Sequence, residues 1–173
     1  MNYNIYLDLD GVFANLEKKL SEILNKPMES LTKDDWNDSL RKYTKPDSKI
    51  NLFLDLEIMP WSKQFYLLML GLNKREDINI SFLTSISADK TNKRRVIAEK
   101  QLWIIRNFGD DFNVLFSDSW KDKHCYIIDS ENNKNILIDD FILQKDVWEK
   151  NGGIFIHHRG SLEQSYKQLI NLI

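Results

Sequence analysis

Two aspartates, Asp8 and Asp10, stand two residues apart at the end of an apolar stretch and are followed by Gly11. Successive side chains of a strand point to opposite faces, so residues two apart share a side. Two like charges held together repel each other unless a cation or a shared proton relieves the repulsion. The pair therefore predicts a hard divalent cation next to a nucleophilic carboxylate.

Polar side chains also follow four later apolar segments. They are Thr84 and Ser85 after 78–83, Ser117 and Asp118 after 114–116, Asp139 and Asp140 after 136–138, and His157 and His158 after 153–156. In an open parallel sheet the active site lies at the carboxyl ends of the strands. We therefore expect six side chains to converge there: Asp8, Asp10, Thr84, Ser85, Asp139 and Asp140. Three or four carboxylates with one Mg²⁺ would suit phosphoryl chemistry.

The elements that must position these groups alternate along the chain. The continuous apolar runs are typical of strands buried on both faces, and helical spacing occupies 15–24, 93–108 and 161–172. Strands that alternate with helices predict an α/β fold with a Rossmann-like, doubly wound parallel sheet. Residues 130–135 are predicted as a polar turn or surface loop.

One stretch does not fit this alternation. About 60 residues separate the first helix from the second strand, too many for an ordinary crossover loop. They indicate a small helical cap inserted after the first strand, whose last part, 60–72, returns to the sheet as a helix. We therefore predict one domain, 1–173, with a core at about 1–14 and 74–173 and a cap at about 15–73.

Composition excludes several classes of protein. With 42% hydrophobic and 12% aromatic residues the chain is not disordered, and a net charge of −2 argues against an extended nucleic-acid surface. Cys125 is the only cysteine, which excludes an intrachain disulfide and a zinc–cysteine cluster, and we expect it to be buried. Neither a signal-like start nor the roughly 20 apolar residues of a membrane span is found, so we expect a cytoplasmic protein.

Four motifs, taken in order, resemble the haloacid-dehalogenase-like (HAD) phosphatase superfamily. They are Asp-x-Asp-Gly-Val at 8–12, a strand ending in Thr84-Ser85, a lysine, and Ile-Leu-Ile-Asp-Asp at 136–140. Within that superfamily the chain resembles the 5'(3')-deoxyribonucleotidases. The segments that carry this closer resemblance are 10–14, 83–85, 99–103 with 107–109, and 137–140.

The resemblance implies a role for each acid. Asp8 would be the nucleophile that forms an aspartyl-phosphate, and Asp10 would be the general acid and base. Mg²⁺ would be bound by the Asp8 carboxylate, the backbone carbonyl of Asp10, and Asp139. Asp140 would support these ligands from outside the metal's own shell or orient a lysine. An Asp139-Asp140 pair would equally suit the start of a helix over 141–150.

The resemblance also implies a phosphate site. Thr84, the backbone at Ser85 and a lysine would bind phosphate oxygens. Two lysines, Lys121 and Lys123, are candidates, and we prefer Lys123 because Lys-x-x-Tyr at that place resembles the family. Lys100 is a further candidate for phosphate contact and equally suits a solvated position on its helix.

Aromatic residues near the cap could stack on a nucleobase, although most of them must build a small core for the cap itself. We expect one or two of them to contact the base, with Phe13 and Trp36 ahead of Trp61. Adjacent histidines on a strand point to opposite faces, so the pair His157-His158 favours a surface or loop role over a metal site.

The sequence therefore predicts a Mg²⁺-dependent phosphomonoesterase, a 5'(3')-nucleotidase that hydrolyses (deoxy)ribonucleoside monophosphates to nucleoside and phosphate. Its partner would be a small-molecule nucleotide, with no membrane and no extended nucleic-acid surface, and a homodimer stays open. Two alternatives also stay open: another HAD phosphatase, acting on a sugar phosphate or a nucleic-acid 3'-phosphate end, and a non-catalytic binding protein with the HAD fold. The preferred base, 5' against 3' selectivity and ribose against deoxyribose are not determined by the sequence.

Overall fold

A parallel five-stranded sheet forms the centre of the computed structural model, which describes residues 1–86, 92–128 and 132–173. Its strands are β1 (Asn2–Leu7), β2 (Ile78–Ser85), β3 (Asn113–Ser117), β4 (Asn133–Asp139) and β5 (Ile154–His157). The order across the sheet is β3-β2-β1-β4-β5, and every neighbouring pair is parallel. The predicted Rossmann-like, doubly wound sheet is confirmed. Of the loop predicted at 130–135, residues 133–135 belong to β4, whereas 130 and 131 lie outside the described residues.

Six α-helices flank the sheet in the described part of the chain. They are α1 (Leu16–Leu24), α2 (Lys33–Tyr43), α3 (Ser62–Leu72), α4 (Lys93–Phe108), α5 (Gln144–Lys150) and α6 (Leu162–Ile170), and 3₁₀ helices occupy Met28–Ser30 and Trp120–Tyr126. The helix predicted at 141–150 begins only at Gln144. The Asp139 side chain accepts a hydrogen bond from the Phe141 backbone at 2.8 Å, and this turn competes with a helical start.

Buried apolar residues cover both faces of the sheet. The larger cluster joins strand residues such as Ile80 and Ile138 to Leu20, Leu52 and Phe65 from the segment between β1 and β2. The expectation that the cap has its own small core is therefore wrong, because its apolar side chains pack into the core of the sheet. The limits predicted for core and cap stay a prediction.

A hydrogen-bond network attaches the segment after α2 to α4. Arg95 donates to the backbone carbonyls of Lys45 and Ile50 and forms an ion pair with Glu99 at 2.7 Å. Glu99 in turn accepts a hydrogen bond from the Phe53 backbone at 3.0 Å. These contacts fix the path by which the chain returns from α2 toward the sheet.

Cys125 is exposed, so the expectation of a buried thiol is wrong. It lies in the 3₁₀ helix Trp120–Tyr126, in which side chains three residues apart share a side. Lys123 and Tyr126 occupy the inward side, which leaves Cys125 toward solvent. Among the described residues, none of the helices has both the length and the apolar character needed to cross a membrane.

Candidate active site at the carboxyl edge of the sheet

A cavity of about 1040 Å³ opens where β1, β2, β4 and β5 end. Nine of the eleven site residues predicted from the sequence line it: Asp8, Asp10, Trp36, Trp61, Ser85, Lys100, Lys123, Asp139 and Asp140. Thr84 and Phe13 do not line it. The structure therefore brings together the strand ends and the cap segment at one place.

Three carboxylates meet at the floor of this cavity. Asp8, Asp139 and Asp140 each offer an oxygen, and these atoms lie within 4.8 Å of one another. Asp8 and Asp139 are neighbours because β1 and β4 pair in parallel, with the Asp8 backbone N–H donating to the Ile138 carbonyl at 2.9 Å. A set of carboxylate oxygens this close suits a hard divalent cation.

Gly11 makes room for this cluster. Its φ of +79° is a conformation that glycine adopts readily, and a Cβ at this position would lie 2.0 Å from an Asp140 carboxylate oxygen. A side chain at Gly11 would therefore displace Asp140. The turn after β1 and the end of β4 can therefore approach this closely only because residue 11 has no side chain.

Lys123 is the lysine that enters the acidic cluster. Its ammonium lies 2.5 Å from Asp8 Oδ1 and 2.7 Å from Asp139 Oδ2, and the residue is 2% exposed. Lys121 is exposed, and its ammonium lies over the Trp120 ring instead. Of the two candidate lysines, Lys123 is the one that lies beside Asp8.

Burial and crowding shift the protonation of the cluster. Burial raises the pKa of Asp8 to about 7; the Lys123 ammonium opposes this rise, and the charges of Asp139 and Asp10 add to it. Loss of water around the Asp140 carboxyl, followed by the charges of Asp8 and Asp139, raises the pKa of Asp140 to about 8, although other parts of that residue are exposed. Burial alone would lower the pKa of Lys123, but Asp139 and Asp8 outweigh it and raise that pKa. An added cation would stabilise the ionised carboxylates.

Asp10 is bound by a different cation. Lys100 is 1% exposed, and its ammonium donates to Asp10 Oδ2 at 2.6 Å, to Thr84 Oγ1 at 2.8 Å and to the Ser85 carbonyl at 2.9 Å. A solvated position for Lys100 is therefore wrong. Asp10 Oδ1 has no hydrogen-bond partner within the described residues. One oxygen of Asp10 is thus held by Lys100, while the other is buried and has no partner among the described residues.

Two predicted site residues lie away from the cavity. Thr84 is fully buried behind Lys100, so its contact with phosphate stays a prediction. Phe13 is also fully buried, stacks on Phe65 and meets Phe82 edge-on, with ring centroids 5.5 and 5.2 Å away. The expected base contact of Phe13 is therefore wrong: the turn after Asp10 directs this ring into the core.

One face of α2 forms an outer wall of the cavity. Its residues are Lys33, Trp36, Asn37, Leu40 and Arg41. The spacing i, i+3, i+4, i+7, i+8 marks a single side of a helix. Only Trp36 was predicted here. The capping box formed by Thr32 and Asp35 is a signal from which the start of α2 could have been found.

The end of β5 forms the opposite part of the lining, together with Trp61. The Trp61 indole donates to the Val12 carbonyl at 2.9 Å, and its ring centroid lies 5.4 Å from that of His158. His158 is buried, with Nδ1 2.9 Å from Ser165 Oγ, and burial followed by the neighbouring His157 lowers its pKa to about 4. His158 lies in the loop after β5, as expected, but the expected surface position is wrong because the residue is buried.

Comparison with known proteins gives a likeness of fold. No family model matches the sequence, and no curated protein matches it. L-2-haloacid dehalogenase from Xanthobacter autotrophicus, solved with chloropropionic acid covalently bound, superimposes with a TM-score of 0.53 at 9% identity, over 99% of this chain and 83% of that one. The wild-type HAD family enzyme bt-2542 from Bacteroides thetaiotaomicron, solved with magnesium and inorganic phosphate, has a TM-score of 0.51 at 15% identity, over 93% of this chain and 96% of that one. The chain thus has the fold of these HAD enzymes.

Proposed function

We propose that this chain is a Mg²⁺-dependent phosphomonoesterase of HAD type, with Asp8 as its nucleophile. The observation that carries the proposal is the meeting of Asp8, Asp139 and Asp140 with Lys123 at the floor of a large cavity. Two proteins of the same fold support it. One was solved with magnesium and inorganic phosphate, and the other with its ligand covalently bound.

The acidic cluster fits Mg²⁺ by its chemistry. Asp8 and Asp139 would hold the ion, with the predicted backbone carbonyl of Asp10 as a further ligand. Asp140, predicted to lie outside the metal's own shell, is close enough to be a third carboxylate ligand. When bound, Mg²⁺ supplies positive charge that offsets the crowded carboxylates and the phosphoryl oxygens. Burial raises the pKa of Asp8, whereas a nucleophilic carboxylate must be ionised to react, so a bound cation would favour the reactive form.

The reaction would proceed in two steps on this chain's own residues. A carboxylate oxygen of Asp8 attacks phosphorus, the bond from phosphorus to the ester oxygen breaks, and Asp10 gives a proton to the leaving alkoxide. Asp10 then takes a proton from water, which attacks the aspartyl-phosphate, releases phosphate and restores Asp8. Lys100 holds one oxygen of Asp10 at 2.6 Å and so orients the carboxyl for both proton transfers.

The substrate class we propose is the nucleoside monophosphates, in line with the resemblance to 5'(3')-deoxyribonucleotidases. Its support is the aromatic part of the cavity lining: Trp36, Trp61, Trp120 and Phe141. Aromatic faces stack on bases of every kind, and a helix over the cavity would keep water from the phosphoenzyme.

A panel of phosphate esters tests the proposal. Phosphate release should be measured with ribo- and deoxyribonucleoside 5'- and 3'-monophosphates, a sugar phosphate and a 3'-phosphorylated oligonucleotide, each with Mg²⁺ and with EDTA. We expect Mg²⁺-dependent release from the mononucleotides, and a loss on the order of 10³-fold or more in Asp8→Asn.

Asp118→Asn is the matched control, because Asp118 follows β3, pairs with Lys93 and lies outside the cavity lining. It should keep full activity. Normal turnover by Asp8→Asn would remove the mechanism. Release from none of the panel by the wild-type protein would remove the phosphatase assignment altogether.

A further inference from the structure

We infer that the outer part of the cavity binds a second anionic group of the substrate, with Arg159 as its principal ligand. The inference rests on the proposed function and extends its substrate class to nucleosides that carry two phosphate groups. One phosphate would react at Asp8, and the other would bind Arg159 at the rim.

Arg159 is oriented by a chain of hydrogen bonds that starts at the catalytic edge. Its Nε donates to His157 Nδ1 at 3.1 Å, and His157 Nε2 lies 2.9 Å from the backbone carbonyl of Asp140. Because Nδ1 accepts from the guanidinium, the neutral ring carries its proton on Nε2 and donates it to that carbonyl. His157 thereby fixes the direction of the guanidinium.

The two terminal nitrogens of Arg159 are left for a ligand. Throughout the part of the chain that the structure describes, they form no hydrogen bond or ion pair, and the residue is exposed at the cavity rim. A guanidinium with Nε already engaged still presents its Nη pair, and parallel N–H donors of arginine match the oxygens of a phosphate. The arrangement is a prepared ligand for an anion.

The charges of the lining separate into an inner and an outer set. The inner lysines, Lys100 and Lys123, are each bound to aspartates at 2.5–2.7 Å. The outer cations, Lys33, Arg41 and Arg159, form no ion pair within residues 1–86, 92–128 and 132–173. The other outer charge of the lining is the exposed Glu17. A cationic rim above a floor whose lysines are already paired favours a ligand with a second negative group.

Arg159 is placed for the second group and not for the reacting one. A whole imidazole ring separates its guanidinium from the Asp140 backbone, whereas Lys123 touches the nucleophile directly. The reacting phosphate already has Lys123 beside it, so the rim arginine adds a separate contact.

Equilibrium binding to Asp8→Asn protein tests this inference without turnover. Calorimetry in Mg²⁺ should compare a nucleoside 3',5'-bisphosphate with the 3'- and the 5'-monophosphate of the same base. We expect the bisphosphate to bind about tenfold more tightly than either monophosphate, in the range of one charge-assisted phosphate contact. Arg159→Gln in that background should abolish the preference, and Arg159→Lys should keep part of it. Arg106→Gln, an exposed arginine of α4 outside the cavity lining, should keep all of it.

Each outcome decides the inference. Equal affinity for all three ligands, binding of none of them, or an equal loss for all three in Arg159→Gln would overturn it, the last by placing Arg159 on the reacting phosphate. Wild-type phosphate release from monophosphates tests the proposed function separately. A bisphosphate preference that depends on Arg159, found in a protein that hydrolyses nothing, would keep the subsite and remove the phosphatase.

Discussion

Within one cavity, the floor and the α2 wall differ in how their side chains are held. The floor residues Asp8, Lys123 and Asp139 are at most 6% exposed and are joined by ion pairs of 2.5 and 2.7 Å, and the buried Lys100 pairs with Asp10 at 2.6 Å. The α2 wall is the face that runs from Lys33 to Arg41, and its side chains are half-buried or exposed, with no ion pair to the floor. Its helix packs on the core through Trp36, Leu40 and Tyr43, and its start is bound to Lys26 through Asp35.

Under the proposed function, the floor residues would carry out the reaction, and the residues of the α2 wall would select the substrate. A buried charge that loses its partner is strongly destabilising, so the floor residues depend on one another. Exposed residues on a helix face can change with little effect on the fold. We therefore expect floor substitutions to affect folding and turnover together, and wall substitutions to affect substrate binding with the fold preserved.

Lys123→Met should have the largest effect. It removes the ammonium between Asp8 and Asp139 and leaves buried carboxylates unpaired. We expect a loss of about 3–5 kcal/mol in the free energy of unfolding without metal, together with loss of phosphate release. Denaturant unfolding with EDTA and with Mg²⁺ checks this, and Mg²⁺ should stabilise Lys123→Met more than the wild-type protein.

Lys121→Met is the paired control, since Lys121 is exposed two residues away. Its unfolding free energy should stay within about 0.5 kcal/mol of wild type. Similar losses in both variants would mean that the bridge at Lys123 does not hold the floor together.

Trp36→Ala should weaken substrate binding at the α2 wall and leave the floor residues unchanged. Removing one stacking ring is expected to raise KM for a nucleoside monophosphate about tenfold, while kcat stays near wild type because no floor residue changes. Trp36→Phe should recover most of the affinity. Steady-state kinetics on the three proteins checks this, and a fall in kcat with unchanged KM would assign Trp36 to the reacting group instead of the base.

The contrast between the floor and the α2 wall also explains which site residues could be predicted from the sequence. The floor acids could be predicted because each apolar run shows where a strand ends, and parallel strands bring those ends to one edge of the sheet. The positions of Asp8 and Asp139 follow from this rule alone. The buried position of Lys100 was also predictable, because Lys100 shares the inward face of α4 with Val96 and Trp103. A lysine on a buried helix face is placed there by a partner.

The residues of the α2 wall were harder to predict from the sequence, for a physical reason. The spacing from Lys33 to Arg41 defines one side of a helix, but the direction in which that side points depends on tertiary packing. Phe13 shows the same limit. It stands three residues after Asp10, yet the turn between them sends its ring into the core.

The smallest expected effect concerns how α2 begins. The hydrogen bond from Lys26, followed by those from the Thr32 backbone and hydroxyl, holds the pKa of Asp35 at about 2, below its ordinary 3.8. A carboxyl with a lowered pKa stabilises the folded state above its ordinary pKa, and this contribution is lost as pH falls from 3.8 to about 2. Because Asp35 is bound to the helix start, the loss should appear first in α2, as a change in Trp36 fluorescence that precedes unfolding of the sheet. Asp35→Asn should remove this early phase, and Thr32→Ala should loosen the helix by about 1 kcal/mol even at neutral pH. If Trp36 and the sheet lose structure together at every pH in all three proteins, the α2 wall is as firmly held as the floor, and the separation between them fails.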